Sequence, residues 1–326
     1  MSHHPNFPPS LSISPNTTAN DGDEFGISAQ RDAIEQFGIA GRVWEAALAM
    51  CSYVNSMTVD ACDLEFDPPF LEGRGWDGHP TLIELGSGTG IVAAQIARMF
   101  LGDGIIIATD LPDVCPLLER NLHAHTGSPD SRKSGCDNLF VRPLSWGNIK
   151  HAALIEQEFG LRRDASSMGN APSSNTLTHV ICSDLVYFPE LFAPLLRTLI
   201  HFTSFPCTAA MNGVYPKIVI SYKIRSLQKE APFWAAFGLW FTFHPVLYRR
   251  GLDVKVEPWM PFRDTDPDAP DRTFVFFAYR RPESLSWEIP QSDQDLIDGV
   301  GARGTSFRKA DDTFETLLFM VMDPTE

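Results

Sequence analysis

The chain lacks any long apolar run: none of its 326 residues falls in a stretch approaching the roughly 20 apolar residues a membrane-spanning helix needs. The opening Met1-Ser2-His3-His4-Pro5 is neither cationic nor followed by an apolar segment, so no secretory leader is read there and a cytoplasmic location is expected. No Cys-x-x-Cys pair occurs among the six cysteines, which removes the usual signatures of a zinc site and of a disulfide framework. His123 and His125, two apart on a helical pattern, face different sides, so no metal pair is expected. Positive charge is scarce as well: 26 Lys and Arg stand against 41 Asp and Glu, a net charge of -15. Phosphate contacts need clustered cations, so this balance argues against a nucleic-acid partner while tolerating a basic protein one.

What is present is enough apolar residue, 44%, to build the core of one large α/β domain. Residues 1–25, rich in Pro, Ser, Asn and Thr, read as a disordered tail. A domain is expected over 26–280, with polar surface insertions near 127–138 and 161–177, and an extension over 281–326 that is partly packed on it. Val43, Ala46, Ala47, Met50, Cys51 and Val54 recur at helical spacing, so a helix is predicted to open at Gly41. Residues 63–80, with several Pro and Gly, read as the loop before the first core strand.

From there strands and helices alternate, the pattern of parallel βαβ units. Strands are predicted at 81–85, 105–109, 139–143, 178–183, 218–222 and 273–279, with a further one from either 241–247 or 252–256. The apolar stretch 314–322 packs on the domain as either strand or helix.

The richest stretch is Thr81-Leu82-Ile83-Glu84-Leu85-Gly86-Ser87-Gly88-Thr89-Gly90, a strand running into three alternating glycines and then a helix. Such a junction lets backbone amides approach a nucleotide-like ligand at a helix N-terminus. The dinucleotide fingerprint places its third glycine three residues after the second; here Gly88 and Gly90 are two apart, which favours S-adenosylmethionine over NAD. Asp110 ends the next strand, where a carboxylate accepts the two ribose hydroxyls or, alternatively, caps the turn that follows. Trp146 can stack on adenine or serve as a core tryptophan, and Trp44 can face the pocket or pack on its helix. Ser183 and Asp184 end the fourth strand, beside the crevice where open α/β sheets bind ligands. Methyl transfer is an in-line displacement that needs no covalent nucleophile; Asp184 can hold an amine and take its proton while Tyr187 walls the channel.

Together Gly41-Arg42-Val43-Trp44-Glu45-Ala46-Ala47, Glu84 to Gly90, Thr109-Asp110-Leu111-Pro112, Leu144-Ser145-Trp146-Gly147 and Asp184-Leu185-Val186-Tyr187 resemble the family-16 seven-strand methyltransferases, which modify lysines of non-histone proteins such as chaperones and elongation factors. The resemblance covers roughly residues 35–225. It implies a Rossmann-like, seven-stranded, mostly parallel sheet with helices on both faces and an antiparallel last strand. It implies S-adenosyl-L-methionine as donor, a lysine-bearing protein as substrate and a monomer. Trp44, Glu84, Gly86, Ser87, Gly88, Asp110, Trp146 and Ser183 would then contact the cofactor, and Asp184 and Tyr187 would face the lysine. The chain departs from the family in carrying Glu45 and Ser145 where Asp is usual, and Ser183 where many members have Ala. Two rival functions share the motifs: a small-molecule methyltransferase, and a non-catalytic module that keeps the cofactor pocket as an interaction scaffold.

Overall fold

Five apolar segments bounded by turn chemistry become parallel strands because both of their faces are covered. A computed structural model describes residues 6–8, 11–17, 23–55, 64–71, 80–100, 104–126, 138–161, 175–204, 215–252, 255–256, 258–261 and 273–322. In chain order the strands are β1 (Leu64–Asp67), β2 (Thr81–Leu85), β3 (Ile105–Asp110), β4 (Leu139–Pro143), β5 (Leu177–Ser183), β6 (Lys217–Lys223), β7 (Phe241–Pro245), β8 (Leu247–Leu252), β9 (Lys255–Val256), β10 (Met260–Pro261) and β11 (Thr273–Arg280). The α-helices are α1 (Ile27–Phe37), α2 (Glu45–Asn55), α3 (Ile91–Phe100), α4 (Cys115–Thr126), α5 (Ile149–Glu158), α6 (Pro189–Phe202), α7 (Leu227–Trp240), α8 (Asp293–Ile297) and α9 (Thr313–Met322).

The main sheet has seven strands in the order β4-β3-β2-β5-β6-β11-β7. Strands β4 to β6 pair in parallel, whereas β11, the last in the chain, runs antiparallel between β6 and β7. Alternation along each strand sorts the core into two halves. Leu82, Ile106, Ile181, Val219 and Phe277 join α2, α3 and α4 on one face, while Ile83, Ile107, Val180, Ile220 and Phe276 join α5, α6 and α7 on the other. The chain thus covers both faces of the sheet, and its order reverses between β2 and β5, the switch point at which such sheets hold ligands.

Several expectations change in detail. The helix expected from Gly41 starts at Glu45; Gly38–Gly41 instead forms a 3-10 turn, and an extended Arg42 leads through Val43 and Trp44 into the helix. Within the loop expected over 63–80, Leu64–Asp67 is a strand that pairs with β8, and β9 and β10 pair with β8 too, forming a small second sheet. The seventh strand of the main sheet is β7, and Leu247–Leu252 turns away into the small one. The insertions near 127–138 and 161–177 lie almost wholly outside the described residues.

Stretches of the N-terminal segment that was expected to be disordered are packed. Asn6 O accepts Ile39 N at 2.9 Å, and Asn16 N donates to Gln30 Oε1 at 2.9 Å. Gln30 also donates to Phe25 O and accepts from Val43 N, so one buried amide ties these segments together. At the other end, 314–322 is helical. Phe314, fully buried, stacks on Trp234 at 4.7 Å with the rings 9° from parallel. Arg197 of α6 holds Asp293 Oδ1 at 2.9 Å and the carbonyls of Pro290 and Gln291, fixing the extension to the domain. Among the described residues no helix is long and apolar enough to cross a membrane.

Candidate active site

At the carboxyl ends of the parallel strands lies a cavity of about 500 Å³. All ten residues singled out from the sequence line it: Trp44, Glu84, Gly86, Ser87, Gly88, Asp110, Trp146, Ser183, Asp184 and Tyr187.

Its floor is the turn after β2. Gly86 has φ 59°, a left-handed angle that L side chains avoid, and a Cβ there would lie 2.8 Å from Leu185 Cδ2 and 2.9 Å from Trp146 Cζ2. The turn is stitched to β3 by Ser87 N donating to Thr109 O and Thr109 N donating to Ser87 Oγ, at 2.9 and 3.1 Å. Gly88 N then donates to Asp110 Oδ2 at 2.8 Å, and Leu111 N to Oδ1 at 2.7 Å. Asp110 does cap its own turn, therefore, but each carboxylate oxygen retains a further lone pair directed to other donors. Burial pushes Asp110 up to about 6, even against the pull of those two N–H groups. Glu84 is more perturbed. It is 2% exposed, its Oε2 has no hydrogen-bond partner among the described residues, and burial pushes it up to about 8 despite hydrogen bonding from Ser87.

Two indoles border this floor. Trp146 follows β4 on a turn whose Gly147 N donates to Thr198 Oγ1 at 2.8 Å. Trp44 precedes α2, donates its Nε1–H to Ile39 O at 3.0 Å, and carries the guanidinium groups of Arg42 and Arg225 at 4.5 and 5.1 Å from its ring centroid. Its hydrogen-bonding edge is satisfied within the protein, which leaves the ring itself as the lining surface.

The wall next to this floor grows out of β5, the strand paired with β2. Ser183 Oγ accepts from Ser221 Oγ at 3.2 Å. The next residue, Asp184, is held at φ 61° by its N–H to Ser221 O at 2.8 Å, a left-handed conformation rare outside glycine and concentrated at functional sites. Tyr187 packs edge-on to Phe188 at 4.7 Å, and burial raises its phenol well above the ordinary tyrosine range. Tyr187 therefore stays protonated at neutral pH and can donate or accept a hydrogen bond without acting as a base.

Sequence reasoning missed the other side of the cavity mouth. Arg225, Ser226, Lys229 and Glu230 line it, as do Arg42 and, from the N-terminal segment, Asn6 and Leu11. Arg225 Nη1 donates to Asp184 Oδ1 at 2.7 Å, with Nη2 on Oδ2. Its position just past the end of β6, at the same sheet edge as Asp110 and Asp184, was the available signal. Among the described residues no group of His, Cys, Asp and Glu could hold a metal ion.

A glycine turn at a helix N-terminus, a neighbouring carboxylate with spare lone pairs, an orphaned buried carboxyl oxygen and a bordering indole fit S-adenosylmethionine, and they define the cofactor cleft of a seven-strand methyltransferase. A family profile described as lysine methyltransferase matches residues 22–161. Mouse EEF1A lysine methyltransferase 3 is 30% identical over 71% of this chain and 75% of its own length. Protein N-lysine methyltransferase METTL21A of Xenopus tropicalis is 27% identical over 68% and 78%, and yeast protein-lysine N-methyltransferase EFM6 is 27% identical over 58% and 65%. Among solved structures, a human methyltransferase 10 domain containing protein aligns at 10% identity over 72% of this chain and 81% of its own, with a TM-score of 0.37. The chain belongs to the lysine methyltransferase family. It is an S-adenosylmethionine-dependent protein-lysine N-methyltransferase.

Proposed function

We propose that this protein methylates a lysine of translation elongation factor 1A, in the cytoplasm and as a monomer, with the donor on the β2–β3 side of the cavity and the lysine on the β5 side. The observation that carries the division of the cavity is the left-handed Asp184, which with Tyr187 follows β5, while the glycine turn follows the neighbouring β2 and is tied to β3. The substrate reading rests on the relatives named for EEF1A, and the net charge of -15 suits a target lysine set among basic residues.

In this reading Asp110 takes the ribose hydroxyls, Trp146 covers the adenine, and the Gly86 to Gly88 turn with Glu84, Ser183 and Trp44 surrounds the rest of the donor. When bound, S-adenosylmethionine supplies an electrophilic methyl group on a sulfonium. Asp184 pairs with the lysine ammonium, takes its proton, and then holds the freed amine so that its lone pair is oriented. Tyr187 accepts the second N–H on its phenol oxygen and, with Phe188 and Leu185, keeps water from the channel.

The test is incubation with unmodified recombinant elongation factor 1A and S-adenosylmethionine, followed by peptide mass spectrometry. One lysine gaining methyl groups with wild type, and far more slowly with Asp184→Asn, supports the reading. Methylation of other proteins in an extract with the factor left untouched would overturn the substrate assignment.

A further inference from the structure

The carboxylate that this reading gives to the lysine is closed off in the free protein. Asp184's side chain is 1% exposed, and both of its oxygens are taken by a single guanidinium, that of Arg225. A lysine ammonium approaching Asp184 would meet like charge at hydrogen-bond distance.

Arg225 also has a second carboxylate within reach. Its Nη2 lies 3.9 Å from Glu45 Oε2, and the guanidinium sits over the Trp44 ring, which bridges the two positions. Glu45 gathers cations already, with Arg42 Nη2 at 2.5 Å and Lys223 Nζ at 3.7 Å. The backbone beneath Arg225 is held in place separately: Arg225 N and Ser226 N donate to the buried Glu230 carboxylate, which Tyr222 also engages. The guanidinium can therefore change partners by side-chain rotation alone, with the turn that presents it unmoved.

We propose that Arg225 is a specificity-determining residue: it occupies the lysine's place on Asp184 in the free enzyme and is exchanged, cation for cation, onto Glu45 as the target lysine enters. This rests on Asp184 being the lysine's anchor. The exchange keeps Asp184 paired throughout, which matters because an uncompensated buried carboxylate is strongly unfavourable. It also selects for a cationic acceptor. A neutral hydroxyl cannot replace the guanidinium and would find the site shut.

The experiment is steady-state methyl transfer at saturating S-adenosylmethionine by the full chain, wild type against Arg225→Gln, Glu45→Gln, the double variant and Asp184→Asn. Two acceptors are used, recombinant elongation factor 1A and n-butylamine, and the exchange is read on whichever is turned over. If the binding-competent state is a minor population, removing the resident cation should lower the acceptor KM about tenfold. Glu45→Gln, which removes the second seat, should raise KM several-fold, and that effect should vanish in the double variant, where no guanidinium remains to be received. Thermal melting identifies any variant that fails to fold, and Arg225→Lys, which keeps the charge but not the fork, should fall between wild type and Arg225→Gln. An Arg225→Gln KM that is unchanged or raised, or a Glu45→Gln effect that persists undiminished in the double variant, overturns the exchange. Asp184→Asn separates the failures: if it leaves KM unchanged, Asp184 is not the anchor and the premise falls. If it raises KM while Arg225→Gln does not lower it, the exchange alone falls. Turnover of n-butylamine with none of the elongation factor counts against the substrate assignment only.

Discussion

Asp110 offers a test in which cofactor binding and folding respond to pH with opposite signs. Burial holds its carboxyl at about 6 in the folded protein, against an ordinary 3.8. A ribose diol donates hydrogen bonds, so it is best met by the ionised form. Below pH 6 the proton must first be removed, and affinity for S-adenosylmethionine should fall about tenfold per pH unit. Folding runs the other way. A carboxyl whose folded pKa is raised contributes stability that is fully present below the unfolded value and is lost as pH rises through the folded one. For Asp110 that window is 3.8 to about 6 and the amount about 3 kcal/mol. Titration calorimetry of the full chain between pH 5 and 8, with urea unfolding of the ligand-free protein between pH 4 and 7, measures both. Asp110→Asn should bind roughly ten- to a hundredfold more weakly at pH 7.5, the loss of hydrogen bonds to a charged acceptor, and should show neither slope. A wild-type affinity flat down to pH 5, or an unchanged slope in Asp110→Asn, would refute the reasoning.

Three further outcomes follow from the same contacts. Glu84, pushed by burial to about 8 from 4.5, should make the protein less stable as pH rises through 8, and Glu84→Gln should remove that loss in urea unfolding compared at pH 6 and 9. Gly86→Ala imposes a left-handed alanine, which costs about 1–2 kcal/mol, and drives its Cβ toward Leu185 and Trp146; a lower melting temperature and weaker cofactor binding should appear together. Phe314→Ala removes a fully buried ring stacked on Trp234 and should cost about 3–5 kcal/mol in urea unfolding, whereas a change under 1 kcal/mol would show that the extension adds little to the fold.

The parallel half of the sheet was legible because its central strands are largely apolar on both faces, and β2 and β3 end in chemistry that announces a turn, at Leu85-Gly86 and Thr109-Asp110. The same rule brought the candidate residues into one cavity, since one sheet edge collects the carboxyl ends of the parallel strands. What the sequence hid was tertiary. The sequence left 241–247 and 252–256 as rival seventh strands, and only pairing decides: Phe241–Pro245 joins β11 in the main sheet, whereas Lys255–Val256 pairs with β8. The N-terminal segment carries no periodicity, yet Asn6 and Asn16 are buried because Ile39 N and Gln30 supply their backbone partners. Arg225 carries no motif at all; its importance comes from meeting Asp184 across 41 residues of sequence.

The most direct test of the account is methyl transfer from labelled S-adenosylmethionine into a cytosolic extract, comparing wild type with Asp184→Ala and resolving the products by gel. A single labelled protein band that disappears with the variant is the predicted result. Label confined to small molecules would contradict a protein substrate, and an undiminished band with Asp184→Ala would contradict an acceptor site built on Asp184.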